Sequence, residues 1–259
     1  MSILTIKKDY PILEFDCTRE AVIEPHKLLQ CLDVPERCVI TFFKDVIDRL
    51  KESSKLKIVT ELRSEAGILP VYELEHEGEK LVVYHSMIGA PAAAATFEEV
   101  IALGCRKFIA CGGAGVIRKD IAVGHLIIPN AAVRDEGTSY HYLPPSRECE
   151  VSINAHKSIL EVFNTHKVPY INAKTWTTDA FYRETREKVE LRRSEGCVSV
   201  EMECAAFCAV AKFRDVTFGQ ILYGGDDLSC EEWDSRSWQE KTDVRQKVFE
   251  LAVESCLNM

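Results

Sequence analysis

One mixed central β-sheet flanked by helices, an α/β fold forming a single domain over residues 1–259, is the architecture the sequence predicts. Three observations carry this. Strand-like and helix-like segments alternate through the whole chain. Most of the strands read as continuous apolar runs, as in sheets buried on both faces by helices. One pair of strands, Val71–Glu75 and Lys80–His85, is separated by a turn at Gly78 and reads as a hairpin, which makes the sheet mixed.

The elements follow in order. Cys38–Phe43 reads as a strand and Asp45–Ser53 as an amphipathic helix. After the hairpin, Pro91–Leu103 has a helix's proline at its start, four alanines, and Gly104 at its end. Lys107–Cys111 is a short strand that runs into Gly112-Gly113-Ala114-Gly115, and Gly124–Ala132 is another strand. Asn154–Thr165 reads as helix, Tyr170–Thr175 as strand and Phe181–Arg193 as helix. Val198–Val200 is a buried strand ending at Glu201-Met202-Glu203; Ala205–Phe213 is helical, Val216–Tyr223 a strand, and Gln239–Leu257 a closing helix. Repeats, low-complexity tracts and long linkers are absent from the sequence.

Composition narrows the function classes. Apolar residues make up 46% of the chain, enough for a core. The net charge of −9, with no concentrated Lys and Arg face, argues against nucleic acid as a partner. The N-terminal stretch Met1–Tyr10 is too polar for a signal peptide, and no apolar run is long enough to span a bilayer. A cytoplasmic enzyme away from membranes is the expectation. The eleven cysteines form no Cys-x-x-Cys pair or metal-ligand spacing, so they read as reduced, mostly buried thiols and no metal site is predicted.

Three segments carry chemistry. Glycines at Gly112 and Gly113, after a strand, let backbone N–H groups approach an anion or a sugar; strand-end glycines also serve packing alone. A core strand ending in Glu201 and Glu203 is costly unless the carboxylates are paired or used. One of them can accept bonds from two ribose hydroxyls, or can cap a helix N-terminus. Tyr223-Gly224-Gly225-Asp226-Asp227 again ends a strand in acids. A half-desolvated Asp226, with Asp227 adding like-charge repulsion, would have a raised pKa suited to a general acid, whereas the plain reading is turn chemistry. Together these residues point to a small-molecule site at the strand ends.

The order of several segments resembles the nucleoside phosphorylase family that holds uridine phosphorylase, hexameric bacterial purine nucleoside phosphorylase and related nucleosidases. The matching segments are Ile88-Gly89-Ala90-Pro91 with Glu98-Glu99-Val100, Cys111–Gly115, Val123–Ile127, Thr178–Tyr182, Val200–Glu203 and Asp226. The resemblance implies that Glu203 holds the ribose hydroxyls, with Glu201 beside it. It implies that Met202 packs under the sugar and Phe181 stacks on the base. It places Asp226 where purine enzymes keep the acid that protonates the base, and it gives Gly89 and Arg63 to phosphate, Arg63 reaching a neighbouring subunit. It further implies no cofactor, inorganic phosphate as co-substrate, and a dimer-based homo-oligomer of up to hexamer size.

The chain also departs from the family pattern. The Gly-Asp-Pro-x-Arg phosphate loop is replaced by Thr41-Phe42-Phe43-Lys44-Asp45. The core phosphate arginine falls on Ala110, the hydroxyl of the glycine turn on Gly113, and the uracil-reading Gln and Arg on Thr185 and Glu187. Since an arginine fork is the usual phosphate clamp, phosphate binding is weakened in this reading. The leading reading is a nucleoside phosphorylase directed at purine rather than pyrimidine nucleosides; the alternatives are a uridine phosphorylase, a nucleosidase using water, and a non-catalytic nucleoside-binding relative, against which Glu203 together with Asp226 argues.

Overall fold

The structure, a computed structural model, describes residues 6–259; Met1–Thr5, half of the polar N-terminal stretch, lie outside the described residues. Ten strands form one sheet: β1 Arg37–Thr41, β2 Leu56–Ser64, β3 Gly67–His76, β4 Glu79–His85, β5 Lys107–Val116, β6 Leu126–Asp135, β7 Glu148–Glu150, β8 Tyr170–Thr178, β9 Cys197–Glu201 and β10 Thr217–Asp227. The strand order is β10-β6-β8-β9-β5-β1-β4-β3-β2, with β7 on β6 and a further pairing of β10 with β5. That last pairing closes β5, β10, β6, β8 and β9 into a ring, from which β1, β4, β3 and β2 extend as an open arm. Both parallel pairs (β1–β4, β1–β5, β5–β10, β6–β8, β8–β9) and antiparallel pairs (β2–β3, β3–β4, β6–β10, β5–β9) occur, so the sheet is mixed as predicted.

Helices cover both faces. On one side lie α3 Ala90–Leu103 and α6 Cys204–Arg214, and on the other α2 Lys44–Glu52, α4 Ile153–Thr165 and α7 Thr242–Leu257. The short α1 Pro25–Leu28 and α5 Arg186–Ser194 complete the set. The first face is filled by aromatic packing. The Phe97 ring lies 4.6 Å from Phe108, 5.2 Å from Phe207 and 5.9 Å from Phe218, all four fully buried. Each such pair adds about 0.5–1.5 kcal/mol beyond area burial. Arg214, at the end of α6, bonds both Glu24 (3.1 Å) and Glu98 (2.6 Å) and so ties the N-terminal segment to this face. All the cysteines are free thiols, and apart from exposed Cys17, Cys31 and Cys230 they are buried. No helix among the described residues is long and apolar enough to cross a membrane.

Three local readings are corrected. The glycines 112–115 and 224–225 lie within β5 and β10, not in turns after them. A Cβ on Gly112 would stand 3.0 Å from the Phe42 ring, and one on Gly113 would stand 3.2 Å from the Tyr223 ring, so the strands continue because these positions lack side chains. The helix expected over Phe181–Arg193 is a 3₁₀ turn, Phe181–Arg183, then α5 from Arg186, whose first turn is capped by Thr185 accepting from the Lys188 amide. Finally, β2 extends the predicted hairpin to three strands.

Candidate active site

β5 changes partner at its glycines. It pairs with β1 through Cys111 and with β9 only from Gly115, opposite Val200. On the other side it stays paired with β10 through Ala114. Gly112, Gly113 and Ala114 therefore border a notch where β1 ends and β9 begins. Gly113 is exposed there although it sits in a central strand. A partner switch in an α/β sheet leaves a crevice of the kind that binds small ligands.

β9 runs antiparallel to β5, so Glu201-Met202-Glu203 leave it heading back toward these glycines. The two glutamates have different surroundings. Glu201 accepts from Thr177 Oγ1 (2.6 Å) through one oxygen and from the amides of Glu203 (2.8 Å) and Cys204 (2.7 Å) through the other. It thus caps the start of α6, and all its bonds are internal. Burial pushes it up to about 7, against the pull of those donors. Glu203 is 6% exposed, and its Oε1 accepts the Gly89 amide at 2.6 Å. Gly89 has φ +94°, a conformation glycine adopts freely, and it stands at the start of α3. Two helix N-termini thus converge on Glu203, while burial and then the neighbouring Glu201 push its carboxyl up to about 8. Met202 between the two glutamates is half-buried.

On the β10 side, Asp226 Oδ2 accepts the Trp233 indole N–H at 2.7 Å. Asp227, expected to act on it by repulsion, is itself engaged by Arg236. Burial alone would raise the Asp227 carboxyl, but bonds from Ser229 and the ion pair with Arg236 outweigh it and hold its pKa down, so its charge is compensated. Phe181 is 50% exposed, its ring 4.1 Å from that of Tyr182. Arg63 stands apart: its side chain is 71% exposed on β2 at the arm's edge, bonded to Glu61 at 3.1 Å. Ala110 is fully buried, while Thr185 is engaged as the α5 cap and Glu187 is exposed in its first turn. Sequence reasoning missed Trp233 and Glu184. The half-buried Glu184 lies within the electrostatic reach of Asp226, and burial first and Asp226 second push it up to about 8. Two hollows of the surface, one beside Lys107 and Met259 and one beside His125 and His166, lie away from these residues.

Known proteins share this plan. The profile described as the phosphorylase superfamily matches residues 36–258. The guanosine phosphorylase of Halorubrum lacusprofundi is 24% identical over 231 residues, covering 87% of this chain and 95% of its own. Among solved structures, uridine phosphorylase from Vibrio fischeri ES114 superposes with a TM-score of 0.73 at 21% identity, covering 88% of this chain and 94% of that one. AMP nucleosidase from Bacteroides thetaiotaomicron superposes with a TM-score of 0.69 at 20% identity, covering 88% and 90%. The profile spans nearly the whole sheet and both helical faces, and the chain is an enzyme of the phosphorylase superfamily.

Proposed function

We propose that this enzyme cleaves the N-glycosidic bond of a purine nucleoside, with inorganic phosphate as acceptor, giving free base and pentose 1-phosphate. The observation that carries the reading is an anchored acid on each of the two strands that flank β5: buried Glu203, anchored by Gly89, just after β9, and Asp226, anchored by Trp233, on β10. Cleavage builds positive charge on the sugar and negative charge on the leaving base. Glu203 serves the first through the ribose hydroxyls, with Met202 under the ring and Glu201 holding the α6 start on which Glu203 stands. Asp226 serves the second by giving a proton to the purine imidazole nitrogen while Phe181 stacks on the base. Gly113, exposed at the notch, leaves the backbone open to the substrate, while Gly112 is buried against the Phe42 ring.

The purine preference rests on Asp226 and on what Thr185 and Glu187 lack. One is spent as a helix cap and the other is an acid, so neither reads uracil as a Gln and Arg would. Asp226→Asn should depress cleavage of ordinary purine nucleosides far more than that of an analogue already positively charged at the imidazole nitrogen. Equal losses of kcat/KM, or a wild type preferring uridine to inosine and adenosine, would overturn the purine assignment.

Phosphate needs a cation, and Arg63, exposed and reaching outward, would serve a neighbouring subunit's site together with the Gly89 backbone; a dimer-based homo-oligomer in the cytoplasm, needing no cofactor, follows from this reading. A second reading, hydrolysis by water, is favoured by one observation: Ala110 and Gly113 place no phosphate-binding side chain on β5. Release of free base from inosine, adenosine, guanosine and uridine, with and without phosphate, separates the two.

A further inference from the structure

The loop after β10 carries an indole that is out in water yet aimed at one atom. Trp233 is 62% exposed, and its N–H donates to Asp226 Oδ2 at 2.7 Å. The main chain fixes where this side chain starts. Asp227 and Asp234 exchange both backbone bonds, at 2.8 Å from the Asp227 amide and 3.1 Å from the Asp234 amide. Residues 228–233 are thereby closed into a loop whose last residue is Trp233. The Leu228 amide donates to Val116 O at 2.9 Å, and Arg186 donates to Leu228 O at 3.0 Å and to Glu231 O, so the loop is fastened to β5 and to α5. Its backbone ties, not packing of the ring, place the indole.

The arginines that hold this loop are spent on other groups. Arg236 is bonded to Asp227 and, at 2.8 Å, to Ile121 O, and Arg186 is engaged by carbonyls. The donor that Asp226 has is therefore neutral. A guanidinium there would form an ion pair, which favours a carboxylate; an indole orients the group without one. The two oxygens of Asp226 differ as a result. Among the described residues no hydrogen bond reaches Oδ1, which lies toward the glycine run of β5, 3.4 Å from where a Cβ on Gly115 would stand. An N–H donated to Oδ2 leaves Oδ1 as the seat for a proton.

Resting on the purine-cleavage reading, we propose that Trp233 is a positioning residue for Asp226: its indole N–H holds Oδ2, which fixes the carboxyl plane and leaves Oδ1, on the Gly115 side, to carry the proton given to the base. In the reaction the glycosidic bond breaks, its electron pair goes to the purine, and a phosphate oxygen bonds to the sugar carbon. The proton moves from Oδ1 to the imidazole nitrogen, and Asp226 becomes a carboxylate. The indole bond is then charge-assisted and stronger than before the transfer, and an interaction that strengthens along the reaction acts on kcat. Asp226 takes one proton from solvent before the next turnover.

Trp233→Phe keeps an aromatic ring and removes the N–H. With inosine its kcat should fall about tenfold, with KM within about twofold of wild type, as for loss of one bond that strengthens on charging. With an analogue already positively charged at the imidazole nitrogen, which needs no proton, kcat should stay within about twofold; a loop that had merely lost its shape would lower both alike. The bond itself is read without turnover. The indole N–H resonance of Trp233 in ¹⁵N-labelled protein, identified by its loss in Trp233→Phe, should move upfield in Asp226→Ala, where its acceptor is gone. Equal losses on the two substrates, an unchanged kcat for inosine, or an indole resonance unmoved in Asp226→Ala overturns the proposal. A wild type that cleaves no purine nucleoside overturns the purine reading, and the indole resonance then decides alone whether Trp233 orients Asp226.

Discussion

Replacing Glu203 separates two roles that its carboxyl performs at once. Oε1 takes the Gly89 amide, which leaves Oε2 and the remaining lone pair for ribose hydroxyls. A hydrogen bond to a charged group contributes about 1.5–3 kcal/mol, so two hydroxyl contacts to the ionised carboxylate, the form that prevails above about pH 8, set a ceiling of about 6 kcal/mol. Competition from Gly89 keeps the value in the lower half of that range, about 3–4 kcal/mol, or roughly two to three decades in kcat/KM. Glu203→Ala and Glu203→Gln should both show this loss with a purine nucleoside as substrate. Only the alanine also strands the half-buried Gly89 N–H, at up to about 1–3 kcal/mol of folding stability; the glutamine keeps a carbonyl oxygen for it. Steady-state kinetics and denaturant unfolding on both variants are the assays. A Glu203→Gln enzyme within about threefold of wild-type kcat/KM would remove Glu203 from the mechanism, because a three-fold change is under 1 kcal/mol.

Stability should depend on pH in a direction set by the same acids. Glu184 and Glu203 are raised to about 8 and Glu201 to about 7 from an ordinary 4.5, so the folded state binds more protons than the unfolded state between those limits. Stability should therefore fall as pH rises from about 5 to about 8, and Glu203→Gln should flatten the slope; a melting temperature that rises over that window contradicts the burial of these groups. Phe97→Ala, at the centre of the aromatic cluster, should cost about 3–5 kcal/mol by chemical unfolding. Sedimentation should give a homo-oligomer at micromolar concentration, and Arg63→Ala should raise the KM for phosphate without changing the melting temperature; a fully active monomer would refute the shared site.

The parts of the fold visible in the sequence are those with strong periodicity or strong punctuation. Pro91 and Gly104 bracket α3, and the apolar runs of β1, β5 and β10 announce buried strands. β2 went unseen because it lies at the outer edge of the arm, where Lys57, Ile58, Glu61 and Arg63 are exposed and Leu62 is its one buried residue, so no apolar run marks it. The glycines of β5 were legible as important but not as strand, because what they accommodate, the rings of Phe42 and Tyr223, comes from distant parts of the chain. The acidic positions were legible, but their division of labour was not. Whether Glu201 or Glu203 caps α6, and whether Asp227 is free to repel Asp226, depends on Thr177, Gly89 and Arg236, none of them marked by local sequence.

The closure of β5 onto β10 has a consequence for how the chain reaches this state. β10 is the last of the ten described strands in chain order, and until it is made β5 has no partner along one side from Lys107 to Ala114. Pairings between remote segments form slowly, because loop entropy is lost before contacts reward it. The nascent protein therefore carries an open apolar edge at Phe108, Ile109 and Ala110 for most of its synthesis, and such an edge invites strand addition from other chains. Helix α7 follows β10 and packs on both β5 and β10, so it locks the ring from outside the sheet. Truncation just before Thr242 would leave a ring that closes without its latch, and such a product should be cleared or aggregate before it could turn over a substrate.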